Sequence, residues 1–281
     1  MADRILVTGG TGTTGSLVAS GLAARGIDAR IATRSPIAPH QVRFDWSDTA
    51  THTPALDGVD ALYLVAPTDR SDHLPVMRPL LDQALDRGIA RFVLLSASSL
   101  PEGGPMMGQV HAWLHAHAPR WTVLRPSWFM QNFVTQHLPS ILYEGRIYTA
   151  TQDGRVPFID AADIAAVAVQ ALVDPALASG DRLLTGPEAL SYDAVARHIS
   201  AVAPRPVVHC RLSVDALVRR HIGLGLPAPY AEALARMDDA IAQGSEDRVT
   251  PQVEQVTGRQ PTRLADFLAA HRAAYHRPAA A

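Results

Sequence analysis

The sequence predicts an α/β fold: a doubly wound parallel sheet with a smaller, mostly helical lobe toward its carboxyl end. Three observations predict it. Short apolar, β-branched runs alternate with longer segments of helical period through the first half; a glycine-rich turn joins the first run to the first helical segment; and after Arg125 the alternation loosens into helical period. Strands are expected near residues 5–8, 29–33, 41–44, 61–65, 92–96 and 122–124. Helices are expected near 12–25, 74–87 and 108–117, stopped by Gly26, Gly88 and Pro119. A hairpin or loop should surround Gly145 and Gly154, followed by an Ala-rich helix capped by Asp160 or Asp163. Further helices are expected over 192–202, 214–220, 229–242 and 264–275, and the tail after Pro278 should fray.

Composition narrows the function. The 281 residues are 47% hydrophobic and 19% charged, an ordinary globular balance. A formal net charge of -2 gives no electrostatic reason to expect nucleic acid or an anionic membrane as partner, so a small molecule is the expected one. No run is long and apolar enough for a membrane span, and the chain is read as cytoplasmic. The single cysteine, Cys210, excludes an internal disulfide and reads as a small buried hydrophobe. There is no lysine, so every mechanism that needs a lysine amine is excluded.

The segment Val7-Thr8-Gly9-Gly10-Thr11-Gly12-Thr13-Thr14-Gly15 leaves a strand and opens a helix. Glycines at this spacing permit a tight turn and close approach of backbone to a pyrophosphate, which the helix amino terminus then attracts. Gly9, Thr11, Gly12, Thr13, Thr14 and Gly15 are therefore expected to bind a dinucleotide on a Rossmann-type sheet. At the end of the second strand, where an NAD site usually shows an acid, stand Arg34 and Ser35, which favour the 2′-phosphate of NADPH. The alternative for Arg34 is a solvated surface residue. Asp45 is placed for the adenine edge with Trp46 as packing, and Ala66 and Pro67 follow the fourth strand as cofactor contacts. Residues 1–150 are read as the NADP-binding region, and 151–281 as a mixed region completing the sheet and forming the substrate lobe.

These residues resemble the NmrA-like branch of the atypical short-chain dehydrogenases/reductases. The resemblance rests on Thr8 to Gly15, on Leu124-Arg125-Pro126 with Trp128-Phe129-Met130-Gln131-Asn132-Phe133, on Phe158 to Ala165, and on the later segments Leu184 to Glu188 and Val256 to Pro261. It implies an NAD(P)-binding fold with substrate held between the sheet's carboxyl edge and the carboxyl-terminal lobe. Conventional members carry Ser, Tyr and Lys, the last two spaced YxxxK. Counted from Ser98, those two positions hold His111 and His115. Two histidines four apart share a helix face, but no glutamate follows the first and no cysteine pair is near, so no metal site is expected. His115 and His117 read as exposed.

His111 is read either as a proton donor working without lysine or as packing. Ser96 and Ser98 either hydrogen-bond a developing alkoxide or cap a strand end. A substrate that carries its own hydrogen-bonded phenol would need no enzymatic acid. Met106, Met107, Gln109, Trp113, Trp128, Phe129, Asn132 and Phe133 are expected to line an apolar, aromatic substrate pocket, with Met106 and Met107 on a mobile-looking loop. The leading functional expectation is an NADPH-dependent reductase of a ketone or quinone on an aromatic natural product, resembling the atypical ketoreductases of polyketide tailoring in antibiotic biosynthesis. The alternatives are an imine or iminium reductase of alkaloid-type substrates and a non-catalytic NADP(H)-sensing regulator.

Overall fold

The computed structural model describes residues 4–276; the tail after Pro278 lies outside them. The chain runs β1 (Arg4–Val7), α1 (Thr13–Ala23), β2 (Asp28–Thr33), β3 (Gln41–Arg43), α2 (His52–Ala55), β4 (Ala61–Val65), α3 (His73–Asp86), β5 (Arg91–Leu95), α4 (Met107–His117) and β6 (Arg120–Pro126). It continues through α5 (Leu138–Glu144), β7 (Arg146–Thr149), β8 (Arg155–Val156), α6 (Ala161–Val173), β9 (Gly180–Leu184), β10 (Leu190–Ser191), α7 (Tyr192–Ser200) and β11 (Val208–Arg211). Helices α8 (Val214–Gly223), α9 (Ala228–Ala242), α10 (Gln252–Thr257) and α11 (Leu264–Ala270) complete the order.

Two compact units share this chain. The first takes the residues through Pro126, then Ala161–Leu184 and Gln252–Arg259; the second takes Ser127–Asp160, Thr185–Pro251 and the residues from Gln260. The units interleave, whereas the sequence reading drew one boundary at residue 150.

Among the described residues of the first unit, seven strands form one sheet in the order β3-β2-β1-β4-β5-β6-β9, every pairing parallel. Its centre is apolar on both faces, as a parallel sheet covered by helices requires: Ile5, Leu6, Val7, Leu62 and Leu64 are fully buried. On one face Leu6, Leu62, Leu64, Phe92, Leu94 and Val123 pack against Met77, Leu80, Leu81 and Ala84 of α3 and Val110 and Leu114 of α4. Helices α1 and α6 pack on each other elsewhere in the unit; a Cβ on Gly21 would meet Val169 at 3.0 Å. The end of α3 is sealed as its sequence implies. Gly88, at φ 76°, donates to Leu85 O at 2.8 Å and Ile89 donates to Ala84 O at 3.0 Å, the paired closure that a left-handed glycine permits. The sheet order reverses between β1 and β4, and the carboxyl edge at that reversal is where such sheets bind dinucleotides.

The second unit carries the expected helices α7, α8, α9 and α11 and adds four short strands. Strands β7 and β11 pair in parallel, and β8 pairs with β10 antiparallel. Of the hairpin or loop expected around Gly145 and Gly154, the hairpin does not form. Gly145 instead closes α5 in the left-handed conformation, at φ 65°, and Gly154 closes a turn by donating to Thr151 O at 2.8 Å. Strands β7 and β8 therefore turn to partners distant in sequence. The core of this unit gathers Phe133, Ile141, Ile147, Phe158, Tyr192, Ile199 and Phe267. Among the described residues no helix is long and apolar enough to cross a membrane.

Candidate active site

The turn from β1 to α1 leaves no room for a side chain at Gly10 or Gly15. A Cβ on Gly10 would meet Ile31 Cγ2 at 2.7 Å, and one on Gly15 would press on the backbone of Gly9. Gly9 itself sits at φ 61°, and its carbonyl accepts the Gly12 N–H at 2.9 Å. Helix α1 begins after Gly12, which offers no side-chain cap, and its first turn holds no acid, so its positive end is uncompensated by the chain. Thr11, Gly12 and Thr13 are exposed beside it. These features fit a pyrophosphate, and Thr11, Thr13 and Thr14 would hold one through backbone N–H groups, with Gly12 leaving room for its close approach.

The base of this turn depends on a residue that the sequence reading took only as part of the motif. The Thr8 hydroxyl donates to Tyr63 O at 3.1 Å and accepts from Val65 N–H at 2.7 Å, tying the carboxyl end of β1 to that of β4. A threonine directly after a buried apolar strand was the available signal. Ala66 and Pro67, half-buried, continue from this seam, and Pro67 O accepts from His73 Nε2 at 3.1 Å.

At the end of β2 Arg34 is exposed and, among the described residues, makes no ion pair; Ser35 N–H reaches Thr33 Oγ1 at 3.4 Å. Its guanidinium is thus available to a phosphate. Asp45 spends one carboxylate oxygen on the Ser47 N–H at 2.8 Å, and Trp46 stands edge-on to Phe44 at 4.9 Å, half-buried on the core.

The residues proposed for catalysis are not arranged as a proton-transfer chain. His111 is 1% exposed and, among the described residues, neither ring nitrogen has a hydrogen-bond partner. Its ring tilts against Trp121 at 5.4 Å, and Nε2 lies 3.8 Å from Glu102 Oε2, whose carboxylate is engaged by exposed His115 at 2.7 Å. Burial pushes the His111 imidazole below its usual pKa, against the pull of Asp181 and Glu102, so the ring is neutral at neutral pH. Ser96 is buried and its hydroxyl has no partner among the described residues, while its N–H donates to Leu124 O at 2.8 Å. Ser98 is held by its backbone: its N–H donates to Pro126 O at 2.9 Å and its carbonyl accepts from Arg125 Nη2 at 2.7 Å.

The proposed pocket residues fall into both units. In the first, Met106 and Met107 are half-buried and Gln109 exposed. Their loop is cross-tied: Gly103 donates to Gly108 O at 2.9 Å, Gly104 to Pro101 O at 3.0 Å, and Gly108 to Pro105 O at 3.0 Å. Met106 carries the strain of this closure at φ 56°, a conformation costing a non-glycine residue about 1 to 3 kcal/mol. Trp113 is a core residue: it is 5% exposed, stacked on His117 at 4.8 Å and covered by the Arg78 guanidinium at 5.4 Å, so its ring has no face for a ligand. In the second unit Phe133 is likewise removed from the pocket set, being fully buried against Phe158 and Tyr192. Trp128, Phe129 and Asn132 remain half-buried beside it.

The sequence reading also missed a polar seam inside the second unit. Buried Thr149 shares a hydrogen bond of 2.7 Å with His209 Nε2, and His209 Nδ1 meets Asp193 at 3.1 Å. Nearby, buried Asp238 accepts the Ala150 N–H at 2.9 Å. Residues so far apart in sequence gave no joint signal.

Comparison with known proteins agrees with this construction. A family model for NAD(P)H-binding matches residues 9–175 and one for the NmrA-like family matches 108–268. The chain is 47% identical to an uncharacterized oxidoreductase, YesF, of Bacillus subtilis, covering 96% of each chain. It is 41% identical to agroclavine dehydrogenase of Claviceps fusiformis, covering 94% of this chain and 96% of that protein. The solved structure of an NADPH-dependent quinone oxidoreductase of Escherichia coli in complex with NADPH superposes with a TM-score of 0.81 at 23% identity, over 95% of this chain and 99% of that one, and shares the fold. The chain belongs to the NmrA-like family of NAD(P)H-binding proteins and is an NAD(P)H-dependent oxidoreductase.

Proposed function

We propose that this chain uses NADPH, in preference to NADH, to reduce the iminium carbon of a polycyclic, alkaloid-type substrate. Bound NADPH supplies the hydride. The glycine turn fixes the cofactor's phosphates and Arg34 selects its 2′-phosphate. The observation that carries the substrate class is the setting of His111: counted from Ser98 it falls where conventional short-chain members carry tyrosine, no lysine exists in the chain, and its imidazole is buried, pushed toward its neutral form by that burial and, among the described residues, without a hydrogen-bond partner. An iminium carbon is electrophilic without protonation, so the protein need only align donor and acceptor. The similarity to agroclavine dehydrogenase supports this reading. A ketone or quinone of an aromatic natural product is the second reading, favoured by the same missing acid when the substrate supplies its own hydrogen-bonded phenol.

The test uses NADPH deuterated at the transferring position with a polycyclic N-alkyl iminium salt and the ketone of the same skeleton. Deuterium should appear at the former iminium carbon, with the ketone at least tenfold slower. Faster reduction of a ketone lacking a neighbouring phenol would sink the proposal, as would failure of any iminium to consume NADPH.

A further inference from the structure

The first unit carries a second concave site, at the opposite edge of its sheet from the glycine turn. A cavity of about 540 Å³ is walled by residues at the amino ends of three adjacent strands, Arg4 of β1, Asp28 and Arg30 of β2 and Gln41 of β3, together with Arg87 after α3. Pro39, Val42 and Pro54 give it apolar walls, and His40, Thr53 and Asp57 also face it. The size is that of a small-molecule pocket.

Its charge is unevenly neutralised. Arg4 Nε pairs with Asp28 Oδ2 at 3.0 Å. Among the described residues Arg30 meets no carboxylate; it is held by carbonyls, Nη1 donating to Pro54 O at 3.0 Å and Ala55 O at 3.3 Å. That anchorage fixes the guanidinium while its remaining N–H groups stay available. Arg87 makes no ion pair among the described residues and is exposed. Three guanidiniums and a histidine thus surround one cavity that holds two carboxylates, one of them already paired. The planar fork of arginine matches the geometry of phosphate and carboxylate oxygens.

We infer that this cavity is an anion-binding site, distinct from the cofactor site, for a phosphate-bearing metabolite. Arg30 is the fixed donor, Arg87 the mobile clamp, and the proline and valine walls receive the apolar part of the ligand.

The test is calorimetric titration of pyrophosphate into protein already saturated with NADP⁺, so that the glycine turn is occupied. Saturable binding is expected at one site, weakened at least tenfold in Arg30→Gln and in Arg87→Ala, with NADPH affinity and circular dichroism of both variants matching the parent. Titration of citrate under the same conditions separates phosphate from carboxylate recognition: binding of citrate at equal strength would overturn the phosphate assignment. Absence of saturable pyrophosphate binding to the parent, or binding undiminished in both variants, would overturn the site itself.

Discussion

A Cβ placed on Gly15 would lie 2.2 Å from the carbonyl oxygen of Gly9, closer than any side chain can come. Gly15→Ala must therefore push the first turn of α1 away from the β1 turn, spoiling the N–H array proposed for the pyrophosphate. NADPH affinity should fall by about 100-fold or more, which is on the order of 3 kcal/mol. Fluorescence titration of NADPH checks this, and parent-like affinity in the variant would remove the turn from the cofactor site.

Arg34 is exposed and, among the described residues, makes no ion pair that the substitution would break. Arg34→Ala should weaken NADPH binding by about 1.5 to 3 kcal/mol, the loss of one charge-assisted contact, and leave NADH nearly unchanged. Competitive titration of both cofactors against parent and variant measures the difference. Equal affinities for NADPH and NADH in the parent would refute the assignment.

His111→Phe tests the proton. Replacing a buried, neutral and unpartnered ring by one of similar shape should hold turnover of an iminium substrate within about threefold, because a group that donates no proton removes none of the roughly 10² to 10⁴ expected of general acid catalysis. Stopped-flow turnover decides the matter, since a hundredfold loss with intact cofactor binding would restore His111 as the acid.

Trp113 separates packing from substrate contact. Trp113→Ala should lower stability by about 3 to 5 kcal/mol in urea denaturation, the range for deleting a buried aromatic. If stability is unchanged and KM rises instead, the ring faces a ligand.

Asp238 sets a pH dependence. Burial raises its carboxyl from 3.8 to about 6, so between those values the folded state binds the proton that the unfolded state has released. Stability should fall as pH rises from about 4 to 6, by up to roughly 3 kcal/mol, and the loss should persist above that window. Asp238→Asn keeps an oxygen for the Ala150 N–H and abolishes the ionisation. Thermal melts from pH 4 to 8 should show the variant gaining on the parent above pH 5; a parallel pair of curves would count against it.

The first half of the fold was legible because its signals are local. The buried run at β1, the glycine turn and the closure at Gly88 each depend on residues within a few positions. The cofactor class was legible for the same reason. Strands β9 and β11 were not: β9 reads Gly-Asp-Arg-Leu-Leu, half polar because it edges the sheet, and β11 finds its partner Arg146–Thr149 about sixty residues back. Trp113 and Phe133 misled because an aromatic in a core and one in a pocket have the same local sequence, and only burial distinguishes them. His111 was placed correctly on its helix, but its lack of partners is a property of the assembled β6 to β9 edge.

Strand β9 joins β6 across more than fifty intervening residues, of which Ser127–Asp160 belong to the other unit, and α10 packs on α6 from farther still. During synthesis the nucleotide-binding unit consequently stays unfinished until residues near Arg259 have left the ribosome. A fragment ending at residue 150 would expose the bare edge of β6 and the surface that α6 covers, an invitation to aggregate that slow, non-local pairing makes worse. Cutting the protein at the apparent midpoint of its sequence should yield two insoluble pieces, whereas cuts in exposed turns that leave both fragments associated, such as near Gly225, are the tolerable ones.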